Sequence, residues 1–183
     1  MKFTDEELKK LPSLDGLEHI NIYSKAHTEL GRSLSNFANS PFKHTDYGMF
    51  MSVEAFWYWL KTDKKFPYLK DLYGYHAKKE GKRMVDMVRS ENPEYYDNLP
   101  NTDAFQNEIK TALRLKLKQN KDILTNLVST DLPLLHYYYY GNSDNAKVHM
   151  VTQYDWITDE LELLRKLTKE VLDAKKEKIN KES

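Results

Sequence analysis

The sequence predicts a predominantly helical α+β domain with a small β-sheet. Three observations lead there. At least four segments carry apolar residues at helical spacing, against only two or three short strand signals, so helices dominate the layers. A length of 183 residues suits one compact domain with a sizeable core. No internal repeat or inter-domain linker interrupts the chain. Residues 19–172 are therefore read as one domain, with a helical extension at 1–18 and a charged tail at 173–183 that is expected to fray.

Each element has its own signal. Thr4 to Glu7 fits a capping box before a short helix containing Leu8 and Leu11, closed by Pro12 and Gly16. His19 to Ser24 alternates Ile20 and Ile22 with polar neighbours and reads as a strand. Gly31 to Phe42 is rich in small, turn-forming residues and reads as a loop with a strand fragment near Phe42. A second strand is expected over Tyr47 to Met51, then a helix capped by Ser52 and running to about Thr62. Lys70 to Arg89 has helical character interrupted by Gly74 and Gly81, and its lysines read as a solvated face. Ser90 to Asp103, with two prolines, reads as a loop. Phe105, Ile109, Ala112, Leu113 and Leu117 mark an amphipathic helix, and Asn120 to Thr130 a further one. Tyr137 to Asn145 is an aromatic run ending in a turn, and Ile157, Leu161, Leu164, Thr168 and Val171 give a last helical stripe.

Composition excludes several functional classes. Lys plus Arg and Asp plus Glu both number 28, so no global basic footprint points to nucleic acid, although a local basic site is compatible with this balance. Mean hydropathy is −0.77, and no apolar run approaches the ~20 residues of a membrane span. The N-terminus has no signal-peptide apolar region, and a cytoplasmic location is the simplest expectation. Cysteine is absent, which removes disulfides, thiol nucleophiles and cysteine metal sites. The six histidines are scattered without ligand spacing, so no metal is expected; nor is any cofactor. No GxGxxG or P-loop is present.

The segment SVEAFWYWLK, Ser52 to Lys61, holds the sharpest chemical signal. At ~100° per residue, Ala55, Phe56, Trp59 and Leu60 form a core face. Glu54, Tyr58 and Lys61 stack on the opposite side, with Trp57 alongside. That front is either a solvated face or the wall of a pocket. In a pocket, desolvation raises the pKa of Glu54 while a nearby Lys61 lowers it. Lys116 falls on the apolar stripe of its own helix, where it either snorkels past the core edge or meets an anion, a carboxylate or a ligand phosphate.

SNFANSPF (Ser35 to Phe42), followed by SVEAFWYWLK, resembles the signature of the NADAR (YbiA-like) family, with Ser35, Asn36, Phe37, Pro41, Glu54 and Lys61 in matching places. Further on, Lys116, Leu124, Thr130 and Gly141 fit the family's later segment, so the likeness spans roughly Ile20 to Arg165. Departures mark a divergent member. Ala55 stands where the family has histidine and Phe50 where it has tryptophan, and the aromatic-Trp-Gly-Asp turn reads Tyr139-Tyr140-Gly141-Asn142. The family's closing Leu-Gly pair is also absent.

The resemblance implies a YbiA-like fold and hydrolysis of an N-glycosidic bond. The substrate class it implies is an ADP-ribose-containing or phosphoribosyl small molecule, or ADP-ribosylated nucleic acid such as ADP-ribosylated guanine. It implies Glu54 as the catalytic carboxylate. Asn142, which cannot ionise, occupies the place of the family's aspartate, and Asp144 is a substitute two residues on. Substrate contacts are expected from Ser35, Asn36, Phe37, Tyr58 and Gly141. Trp57 and Tyr140 are expected to stack on a base, and Arg32, Lys61 or Lys116 to bind phosphate. Two other classes compete: a nucleotide-binding module that has lost turnover, motivated by Ala55 and Asn142, and an interaction protein using its 13 tyrosines.

Overall fold

The computed structural model describes residues 3–141 and 147–182. It is 63% helical with 11% strand, a predominantly helical α+β chain. The elements run α1 (Asp5–Leu14), β1 (Ile20–Asn21), α2 (Glu29–Leu34), β2 (Phe42–His44), β3 (Gly48–Phe50), α3 (Val53–Lys61), α4 (Gly74–Arg89), α5 (Pro93–Asn98), α6 (Asp103–Gln119), α7 (Lys121–Val128), β4 (Leu134–Leu135), β5 (Tyr137–Tyr140), β6 (Lys147–Met150) and α8 (Asp155–Glu182). They fall into two compact units, one of Met1–Gly31 with Asp122–Ser183 and the other of Arg32–Lys121.

In the discontinuous unit the expected capping box starts α1. Thr4 Oγ1 accepts the Glu7 N–H at 3.3 Å, and the Glu7 carboxylate accepts the Thr4 N–H at 2.7 Å. Pro12 does not end this helix, which carries on to Leu14. Proline only withholds one i→i−4 bond, and so near the C-terminal end one missing bond is tolerated. β1 pairs in parallel with β4, Ile20 opposite Leu134, while β5 and β6 form an antiparallel pair with Tyr137 opposite Met150. The strand reading of His19 to Ser24 shrinks to two residues. Its polar member Asn21 is buried too, because its Oδ1 accepts the Tyr137 N–H at 3.2 Å. The Tyr137 hydroxyl donates to the Leu11 carbonyl at 3.1 Å and lies 2.9 Å from His19 Nε2. α8 is tied to the segment before β4. Arg165 donates to the carbonyls of Thr130 and Leu132 and pairs with Glu162, whose other oxygen accepts the Leu134 N–H. The tail expected to fray is part of α8 through Glu182, with an Asp173–Lys176 ion pair one turn apart.

The continuous unit is built around α3. Phe42 and Phe50 stack across the β2–β3 pair at 5.7 Å, and Phe56 of α3 meets Phe50 edge-on at 4.8 Å. α3 also packs on α4 and α6. Gly81 does not interrupt α4, because it is where α3 comes closest: a β-carbon there would lie 2.1 Å from Tyr58 Cγ. Gly74, with φ +58°, opens that helix. The prolines of Ser90 to Asp103 mark helix starts, not a loop. Asn92 caps α5 by accepting the Tyr95 N–H, with Pro93 in the first helical position, where its missing N–H costs nothing. Leu99–Asn101 forms a 3-10 turn leading to α6. Part of the loop expected over Gly31 to Phe42 is the short α2.

Candidate functional site

Side chains at the end of α6 and just beyond it hold the segment Ser35 to Lys43. Gln119 accepts the Lys43 N–H at 2.9 Å and donates to the Lys43 carbonyl at 3.0 Å, so its amide substitutes for a neighbouring strand. Asn120 donates to the Pro41 carbonyl at 3.0 Å. Deeper in, Lys116 is 1% exposed, and its Nζ donates to the carbonyls of Ser35 at 2.9 Å and Leu34 at 3.3 Å. The reading of Lys116 as an anion or phosphate ligand is thereby corrected. Its partners are the last carbonyls of α2 and the turn beyond, dipole ends that attract a cation. Burial pulls its pKa down to about 7, and a neutral amine retains two N–H groups for these two carbonyls.

This clamp fixes the residues that follow. Ser35 Oγ accepts the Phe37 N–H at 3.2 Å, a local turn that accounts for Ser35 without a ligand. The Asn36 carbonyl accepts the Glu54 N–H at 2.9 Å, and the Phe37 carbonyl accepts the Gly74 N–H at 3.0 Å. The loop is thus stitched to the first turns of both α3 and α4. Ser52 caps α3 as expected, its Oγ accepting the Ala55 N–H at 3.0 Å. Asn36 Oδ1 is buried and, among the described residues, has no hydrogen-bond partner.

Glu54 lies in the first turn of α3 and is 9% exposed. Among the described residues its carboxyl has no hydrogen bond and no direct ion pair. Burial pushes its pKa up to about 7, with the Lys78 ammonium on α4 pulling the other way. Lys61 is therefore not the base that acts on Glu54. Seven positions on, it sits half-buried with Asp97, Arg89 and Asp86 around it, and burial lowers its pKa. Helical rise alone separates the two by ~10 Å. A carboxyl whose pKa burial raises to about 7 can donate a proton or carry charge without reorganising solvent.

The other expected contacts are scattered over different settings. Trp57 is buried edge-on against Phe105 at 4.8 Å, a core contact in place of the expected base-stacking wall. Tyr58 is half-buried over Gly81. Arg32 is exposed on α2, and Phe37 is half-buried with Lys78 Nζ 5.6 Å from its ring centre. Tyr140, 66% exposed at the end of β5, and Gly141, at φ +96°, belong to the discontinuous unit. Asn142 and Asp144 lie outside the described residues. Comparison of the chain with protein-family models, curated proteins and solved structures finds no match.

Two features bearing on the site escaped the sequence. One is Lys78, exposed as its charge run predicts, yet brought near Glu54 by the packing of α4 on α3. The other is the stitching of Asn36 to Glu54. A surface depression of about 290 Å³ beside Asn92, Tyr95 and Leu99 contains none of the expected site residues. Among the described residues no cluster of histidine and acidic side chains is arranged to hold a metal ion. No described helix is long and apolar enough to cross a membrane.

Proposed function

We propose that the chain is an N-glycosyl hydrolase acting on an ADP-ribosyl or phosphoribosyl N-glycoside, ADP-ribosylated guanine among them. The observation that carries this reading is the Glu54 carboxyl: buried, without a hydrogen-bond donor among the described residues, and with a pKa that burial raises to about 7. Burying a carboxyl without a partner costs stability, and carboxyls with such raised pKa values cluster at functional sites. The motif resemblance supplies the substrate class.

In this mechanism neutral Glu54 gives its proton to the leaving nitrogen as the C1′–N bond breaks and the bond pair moves to nitrogen. The carboxylate so formed faces the oxocarbenium carbon. Water then adds to C1′, and its proton returns to Glu54. Asn36, whose amide oxygen lacks a donor, accepts a hydrogen bond from a ribose hydroxyl.

The alternative is a binding module without turnover. It is favoured by Ala55, 1% exposed, which leaves no ionisable group where the resembling family has histidine. Incubation with ADP-ribosylated guanosine, NAD and phosphoribosyl amines, followed by mass spectrometry, separates the two. Hydrolysis releases the free base or amine and a reducing sugar. Saturable binding with no product over many hours selects the binding module. Neither binding nor product rejects both.

A further inference from the structure

We infer that Lys78 is the residue that recognises the substrate's phosphate and so confines the Glu54 site to phosphorylated glycosides. The inference rests on the glycosidase reading and adds a specificity determinant to it.

Four observations converge on Lys78. Its ammonium is exposed and, among the described residues, has no hydrogen bond or ion pair. It is held on the first turns of α4, whose start is fixed by the Gly74 N–H bond to the Phe37 carbonyl, and it lies 5.6 Å from the centre of the Phe37 ring. The Phe37 ring beside its ammonium adjoins Asn36, whose carbonyl accepts the Glu54 N–H at 2.9 Å, so Lys78 stands beside the loop that carries Glu54, yet the two side chains make no ion pair. Close packing of Tyr58 on Gly81, one turn further along α4, fixes how α3 and α4 lie against each other, and so where the Lys78 backbone stands. A cation and an acid held in each other's field but apart suit a ligand with the opposite polarity. An N-glycoside whose sugar is phosphorylated away from C1′ has it: developing positive charge at C1′ for Glu54, and a phosphate dianion for Lys78. The half-buried Phe37 ring offers an apolar face beside Lys78, and Asn36 Oδ1, unpartnered among the described residues, a hydroxyl acceptor.

The test uses ribose 5-phosphate and ribose as probes, with calorimetry on the full chain. Lys78→Met should weaken ribose 5-phosphate binding at least ~10-fold, the loss of one charge-assisted contact. It should leave ribose binding and thermal stability unchanged. Lys79→Met, which removes a neighbouring exposed cation, should change neither, and Lys78→Arg should retain most of the affinity. With a phosphorylated N-glycoside, Lys78→Met should raise KM by a similar factor while kcat stays within a few-fold. Equal losses in Lys78→Met and Lys79→Met would reduce the effect to general surface charge and overturn the inference. So would wild-type protein that binds ribose 5-phosphate no better than ribose. Hydrolysis of unphosphorylated N-glycosides in that second case would leave the glycosidase reading standing while the role of Lys78 falls.

Discussion

Glu54→Gln is expected to lower turnover by at least ~100-fold, the lower end of what a positioned acid–base group contributes. The amide keeps the shape of the carboxyl and removes its proton, so ribose 5-phosphate binding should stay within a few-fold of wild type. Stability supplies a second readout, and its sign is fixed by linkage. Glu54 titrates at about 7 in the fold against an ordinary value of 4.5. Between those values the folded chain holds a proton that the unfolded chain has lost. Wild-type stability therefore falls as pH rises from 4.5 through 7 and is level beyond. Glutamine has no such titration. The variant should match the wild type near pH 4.5 and exceed it at pH 8, measured by urea denaturation. Normal turnover in the variant would remove Glu54 from the mechanism. A uniform loss of stability at both pH values would make it a structural residue.

The largest effect on folding is expected at Lys116. Truncation to alanine empties a fully buried volume and strips the Leu34 carbonyl of its donor, so Lys116→Ala should cost ~3–5 kcal/mol. Lys116→Met fills the space without the hydrogen bonds and should cost ~1–2 kcal/mol at pH 8. Its pH dependence runs opposite to that of Glu54. Lys116 titrates at about 7 in the fold against an ordinary 10.5, so between those values the unfolded chain holds the extra proton. Wild-type stability rises with pH across that window, and the deficit of Lys116→Met should widen from pH 7 to pH 10. A deficit constant with pH would mean that Lys116 stays charged in the interior. Because the clamp seats Ser35 and Asn36, Lys116→Met should also weaken ribose 5-phosphate binding.

Local chemistry was readable from the sequence, and long-range chemistry was not. The Ser52 and Thr4 caps need only their own helix starts, and both were found where spacing placed them. The stripe of α6 announced that Lys116 is buried. Its partners were hidden because they are main-chain carbonyls more than 80 positions earlier, which no side-chain pattern encodes. The shared helix points to Lys61 as the neighbour of Glu54, whereas α3–α4 packing puts Lys78 in that part. Ser90 to Asp103 reads as a loop although Asn92-Pro93 is a helix-start signal, because the following Glu94 to Asn98 has too few apolar residues to show a period.

Glu54 and Lys116 belong to the same unit, and their titrations meet near pH 7 from opposite sides. Folding in mildly acidic solution draws a proton from the buffer onto the carboxyl. In mildly alkaline solution it returns one from the amine. Near pH 7 the two exchanges cancel, and because stability falls towards that point from below and rises beyond it, this pair makes neutrality its least favourable condition. A ligand that holds Glu54 ionised or protonated would shift the balance point and leave its mark as protons exchanged with the medium.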